Sequence, residues 1–256
     1  MPQFSRPIFW KAATAATVVL VAAMSAQAAT SINYGDFSDV PPGTVAYNDV
    51  TESSFSDDVP LYGAPTITSN LLDFEPIAFG TSSSGGASSL TDGQLNFTID
   101  AIDGTGVTSF TIDEGGDYSF SGLTPTPGTF VSASAGATIS ILEVDGVALP
   151  NAINYFVSGT FVTDYPTAGG APVTGLLPWS LTTNVDLTSV LPQGYQQGAT
   201  LIEVAINNQL TTATTPGNQA AIAKKDFQIN VTTIPEPCSL ALLGLGGLLI
   251  ARRRRG

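Results

Sequence analysis

The sequence predicts an all-β body, a single antiparallel β-sandwich of jelly-roll-like type, and three observations carry that expectation. Apolar and polar residues alternate with a period of two in one segment after another. Asp-Gly pairs and Gly, Pro, Ser and Thr clusters separate those segments, and helical periodicity is nearly absent away from the two ends. Alternation puts one face of a strand on a core and the other in water, which suits antiparallel sheets joined by tight turns. At 256 residues the chain is long enough to bury a substantial core.

The first segment reads as an address. Arg6 and Lys11 form a basic start, 12–23 is mostly apolar, and Ala26-Gln27-Ala28 supplies the small-x-small pattern that signal peptidase requires. Residues 1–28 are therefore expected to form a signal helix cleaved between Ala28 and Ala29. Its apolar run falls short of the ~20 residues that span a bilayer. The body is expected over 29–233.

Within that body Leu95-Asn-Phe-Thr-Ile-Asp100 alternates without a fault, and Phe-Thr-Ile-Asp recurs at Phe110–Asp113. The two phrases are candidates to pair as a hairpin. Ala137–Val144, Tyr155–Val162, Leu201–Ile206 and Phe227–Val231 carry the same period, wholly or in part. Turns are expected at Asp92-Gly93, Asp103-Gly104 and Asp145-Gly146, because an Asp-Gly pair accepts the positive φ of a tight turn. The low-complexity stretch 80–89 reads as a loop. Asp186 is placed to cap a brief helical turn ending before Pro192.

Composition removes several chemistries. The chain has no histidine, so no mechanism that uses imidazole as base or ligand is available. Its single cysteine is Cys238, beyond the body, which excludes both an intramolecular disulfide and thiol catalysis within the fold. Between Thr30 and Ile234 there are 20 acidic and 2 basic residues, a net charge of −18, so nucleic acid is not an expected partner. The body is not expected to be an enzyme. The alternatives are a carboxylate-dependent glycan hydrolase, for which two flanking carboxylates suffice, and a surface protein held simply by a C-terminal membrane anchor.

No cofactor is expected either, with Ca²⁺ the one candidate. Asp100, Asp103, Asp113, Glu114 and Asp117 form the densest acidic cluster, and gathered turn carboxylates are the hard ligands that Ca²⁺ prefers. They lack EF-hand or nonapeptide-repeat spacing, and the reading preferred for them is solvated turn residues chosen for left-handed geometry and solubility. Tyr155, Phe156, Phe161, Tyr165, Trp179 and Tyr195 leave two readings open, a sugar-stacking platform or ordinary core. The sequons at Asn96 and Asn230 fall inside predicted strands and read as chance matches.

The tail 234–256 has three parts. Pro235 and Pro237 fix φ and withhold donors, so Ile234–Pro237 is expected to be extended and to continue neither a ladder nor a helix. From Ser239 to Ala251 every residue after the serine is apolar or glycine, a short transmembrane helix of about 20 Å. Arg252, Arg253, Arg254 and Arg255 follow, and the positive-inside rule keeps them cytoplasmic.

Pro235-Glu236-Pro237, the apolar run and the terminal arginines, in that order, resemble the PEP-CTERM sorting signal of exopolysaccharide-producing bacteria. The segment 185–234 also resembles the last strands before that signal in planctomycete-type secreted proteins. The resemblance implies recognition of Pro235, Glu236 and Pro237 by an exosortase, with Arg252–Arg255 as the stop-transfer cluster. It implies a membrane-anchored precursor that passes to the cell envelope, surface or extracellular matrix. The expected protein is thus exported and noncatalytic, adhesive or polysaccharide-associated, and touches the membrane only through its tail.

Overall fold

In the computed structural model the described residues are 30–122, 128–165, 167–168, 171–172 and 175–235. The expected signal helix, the apolar tail helix and every sorting residue except Pro235 lie outside them. Among the described residues there is no helix, and none is long and apolar enough to cross a membrane.

The described residues form fourteen strands in chain order: β1 (Thr30–Ser38), β2 (Val45–Ser54), β3 (Thr66–Thr68), β4 (Leu71–Phe74), β5 (Gly80–Ser84), β6 (Ser88–Ala101), β7 (Thr105–Gly122), β8 (Phe130–Val144), β9 (Val147–Asp164), β10 (Thr167–Ala168), β11 (Ala171–Pro172), β12 (Gly175–Asp186), β13 (Ala199–Ala213) and β14 (Asn218–Pro235). All pairings are antiparallel. One layer runs β1-β2-β6-β13-β8-β9, and a second is built on β12-β7-β14, with β4 and β5 on the far side of β14 and β3 beyond β4. The single pair Ala199–Val107 joins the layers into one nearly closed sheet of twelve strands.

Burial explains why these segments are strands. Along β8, Val131, Ala133, Ala135, Ala137, Ile139 and Ile141 are buried while the residues between them are not. In β13 Ile202, Val204, Ile206 and Leu210 do the same. Apart from Ala135, both sets belong to one core cluster with Ile112 and Phe110 of β7 and Ile222, Phe227 and Ile229 of β14, so the inward faces of the two layers meet each other.

Several local expectations need correction. Asp92-Gly93 is not a turn but lies inside β6, opposite Gln209 and Asn208. Gly93 is small because rings press on it: a Cβ there would sit 2.6 Å from Phe79 Cε2 and 3.1 Å from Tyr62 Cε2. The stretch 80–89 is also not a loop. It holds β5, which pairs with β14 from Gly80–Ala223 to Ser84–Gln219, and a turn at Gly85 and Gly86 into β6. Backbone pairing with a long neighbour suffices there, although the side chains are mere serines.

The two Phe-Thr-Ile-Asp phrases do not pair. The first lies in β6 between β2 and β13, the second in β7 between β12 and β14, because the chain changes layer at Asp103-Gly104. That turn does form, with φ of 56° and 67°. β14 continues through Ile234 and Pro235, which pair with Gly106 and Thr105, two residues past the expected boundary. Proline's φ suits an extended chain, and at a strand end its missing N–H forfeits only one bond. Asp186 does start a single turn: its Oδ1 accepts from the Thr188 N–H at 3.0 Å, and Leu191 N–H bonds Leu187 O at 3.0 Å.

Asp145-Gly146 closes the β8–β9 hairpin with φ of 53° and 72°, as expected. Its carboxylate does more, accepting the backbone N–H groups of Gln196 (2.9 Å), Gln197 (2.7 Å) and Gly198 (3.1 Å). Burial works to raise its pKa, but these three donors outweigh it and hold the carboxyl below its ordinary value. The folded carboxyl therefore ionises at lower pH than the unfolded one. Its stabilisation is complete above the unfolded value of ~3.9 and is lost as pH falls through the folded value. Asp145→Asn is expected to cost about 1 kcal/mol at neutral pH and almost nothing in strong acid, read from urea unfolding at both.

Candidate functional site

The five acidic candidates are not brought together. Asp103 occupies the turn after β6, whereas Asp117 lies twelve residues into β7, about 40 Å of extended strand away. Asp117 pairs with Lys225, and Asp113 accepts from Thr182 Oγ1 at 2.6 Å and Thr111 Oγ1 at 3.0 Å. Glu114 turns inward and is 4% exposed. Among the described residues no group of three or more His, Cys, Asp or Glu side chains is arranged to hold a metal ion. Asp113 does face other carboxylates that the linear sequence does not signal. Burial first, and then Asp73, Asp113 and Glu75, push the Asp226 carboxyl above its ordinary value.

Glu114 instead meets Lys224 of β14, which is 1% exposed, in a buried ion pair. Lys224 Nζ also donates to Asn208 Oδ1 of β13 at 2.7 Å. The rings of Phe79, Phe227 and Tyr62 surround the amine, with centroids 4.7, 4.9 and 5.4 Å from Nζ. A position in the alternation of β14 that faces the core thus carries a lysine, and its two partners arrive from β7 and β13.

The outward face of the first layer is different in kind. Thr51, Asn96, Ala205, Thr138 and Phe156 form one row across β2, β6, β13, β8 and β9. The neighbouring rows are Ser53, Gln94, Asn207, Gly136 and Ser158 on one side, and Asn48, Thr98, Glu203, Ser140 and Asn154 on the other. Period-two alternation places all of these on one surface. Two open grooves run along it. One, of about 430 Å³, includes Asn33, Asp49, Asn96, Thr98, Ser140 and Glu203 in its lining. The other, of about 470 Å³, is lined by Gln94, Asn207, Gln209, Ser158 and Phe156 among others, and the two share Thr138 and Ala205.

The aromatic residues divide sharply. Trp179 and Tyr165 are buried, and Tyr155, Phe161 and Tyr195 pack against the core, so the six do not form a platform. Phe156 alone among them is exposed, at 64%, and its ring reaches over Gly136, whose Cβ would lie 3.5 Å from two of its atoms. Asp49 marks the other end of the surface. It sits at φ 58° in the irregular stretch of β2 and accepts from Asn33 Nδ2 at 2.9 Å.

The face therefore offers amide donors and acceptors, hydroxyls, two carboxylates and one exposed ring, with no basic side chain in either groove. Sequence alternation marked the outward residues of β6, β8 and β13, but it did not align them into rows. Pairing β13 between β6 and β8 did that.

No protein family and no curated protein matches the chain. Among solved structures it is similar to TmCBM61 in complex with β-1,4-galactotriose, at 9% identity over 81% of this chain and 90% of that one, with a TM-score of 0.21. It is also similar to a putative glycoside hydrolase from Bacteroides thetaiotaomicron, at 10% identity over 71% and 60% of the two chains, with a TM-score of 0.21. A third similarity is to the enzymatically active domain of bacteriophage CBA120 tailspike protein 4, at 16% identity over 62% and 20%, with a TM-score of 0.17.

Proposed function

We propose that this is an exported, noncatalytic surface or matrix protein whose jelly-roll-like body binds neutral polysaccharide through the outer face of its first layer. Signal peptidase removes the residues before Ala29, and an exosortase acts at Pro235-Glu236-Pro237. The arginine tail is left behind at the membrane.

The observation that supports the binding reading most directly is the ordered surface of Gln94, Asn96, Asn207, Gln209, Thr138 and Ser158 beside exposed Phe156. Amides and hydroxyls exchange hydrogen bonds with sugar hydroxyls, and a ring stacks on the apolar face of a pyranose. An open, extended groove suits a polymer better than a small molecule, which is normally enclosed. The ligand should be uncharged, because the body is strongly acidic and Lys225 is already paired with Asp117.

Calorimetry with a panel of soluble neutral polysaccharides tests the reading. Phe156→Ala is expected to weaken binding about tenfold while leaving the melting temperature unchanged, since the ring is exposed. Absence of binding across the panel, or equal binding by the variant, would sink the proposal. Asp49 and Glu203, which both line the first groove, are the pair on which a hydrolase reading would rest. Release of reducing ends that Glu203→Gln abolishes would make this protein an enzyme instead. Intact mass of the protein from its native host checks the sorting steps, and survival of Arg252–Arg255 in the mature surface form would overturn them.

A further inference from the structure

We infer that Lys224 and Asn208 become joined by an intramolecular isopeptide bond, formed inside the folded core with Glu114 as the proton carrier. The inference is independent of what the outer face binds.

The three groups are placed for this reaction. Lys224 Nζ lies 2.7 Å from Asn208 Oδ1, and the carboxamide carbon is one C=O bond, about 1.2 Å, from that oxygen. The amine therefore lies within about 3.9 Å of the carbon that it must attack, and such positioning replaces an improbable encounter with an intramolecular step. Glu114 Oε2 bonds the same amine. Its Oε1 and Asn208 Nδ2 are both buried and have no hydrogen-bond partner. An orphaned acid oxygen and an orphaned amide nitrogen in one core are costly to leave unmet. They are also the two atoms between which a proton has to travel if the amide nitrogen is to leave.

The surroundings favour the nucleophilic form. Phe79, Phe227 and Tyr62 enclose the amine, and burial pushes the Lys224 pKa below that of an ordinary lysine despite the opposing pull of Glu114. A neutral amine keeps the lone pair that an ammonium lacks. The same rings exclude the water that would otherwise compete for the carboxamide.

The step balances without any further reactant. The Nζ lone pair forms a bond to Asn208 Cγ, and a proton from Nζ passes to Glu114. Glu114 delivers a proton to Nδ2 as the Cγ–Nδ2 bond breaks, and that nitrogen leaves with the bonding pair as ammonia. Glu114 ends in the state in which it began, and nothing is oxidised or reduced. The product amide also removes the orphaned Nδ2. It ties β13 of the first layer to β14 of the second, a covalent link through the core of a body whose sequence allows no disulfide.

Mass spectrometry of the purified full chain after prolonged incubation tests this. The expected result is a mass lower by one ammonia than its mapped termini require, with a branched chymotryptic peptide joining the segments that contain Asn208 and Lys224. Glu114→Gln and Lys224→Arg should restore the full mass and the two linear peptides. If either variant fails to fold, the wild-type peptide map still decides. Linear peptides carrying unmodified Asn208 and Lys224 from folded wild-type protein would overturn the inference. So would ammonia loss confined to a linear peptide, which signifies succinimide formation and not a cross-link.

Discussion

Replacing Glu114 by alanine is expected to lower the melting temperature by about 10 °C. The side chain is 4% exposed and its partner Lys224 1% exposed, so neither has water to fall back on. Removing one member of a buried pair typically costs about 3–5 kcal/mol, because the other charge stays buried without compensation. Lys224 would keep only Asn208 Oδ1 and the faces of three rings as partners. In protein that already carries the Lys224–Asn208 bond no charge pair is left to break, and the substitution acts instead by leaving β13 and β14 unlinked. Thermal unfolding followed by circular dichroism measures it, and a shift within a degree or two of wild type would show that the pair contributes little.

Phe227→Ala is expected to be of similar size, about 3–5 kcal/mol, by a different mechanism. Phe227 is fully buried, and its ring centroid lies 5.2 Å from Tyr62 and 5.7 Å from Phe74, both edge-to-face. Truncation loses the transfer energy of the ring and leaves a cavity that strands on both sides resist closing. It also opens one wall around Lys224, which would admit water to the amine. Urea unfolding with an unchanged m-value and a lowered midpoint is the expected signature. A loss below about 1 kcal/mol would mean that neighbouring rings refill the space.

The two substitutions act on the same place, and that place shows what was readable in advance. Phe227, Ile229 and Val231 alternate as an inward strand face, and all three are buried. Lys224 belongs to the same strand, but nothing in the local pattern signals that a lysine there faces the core. The acidic cluster from Asp100 to Asp117 was legible as composition only. Its members are divided between β6, the turn at Asp103-Gly104 and β7, and within β7 Glu114 faces inward while Asp113 and Asp117 do not. The polar outer face was half legible in the same way. Asn96 and Thr98 were visible as the outward half of a strand, while their alignment with Ala205 and Glu203 depended on which strand lay beside them.

Glycine positions make the same point. At Asp145-Gly146 the expected turn formed, because φ preference is a property of the dipeptide and its hairpin strands lie next to each other in sequence. At Asp92-Gly93 the same dipeptide runs straight through β6, because Gly93 is needed where Phe79 and Tyr62 press on the strand. Local preference was overruled there by packing from elements distant in the chain.

The amino-acid order by itself determined the all-β character, the inward faces of the long strands, the exclusion of histidine and thiol chemistry, and the acidity of the body. These follow from side-chain period, dihedral preference and composition, which act within a few residues. Only the tertiary structure decided that Glu114, Asn208 and Lys224 meet in the core and that Phe156 stands in a row of amides and hydroxyls. Those contacts join β7, β13 and β14 in one case, and β6, β13, β8 and β9 in the other. They were set by strand order and layer packing, whose energy comes from burying apolar surface between segments that no local pattern relates.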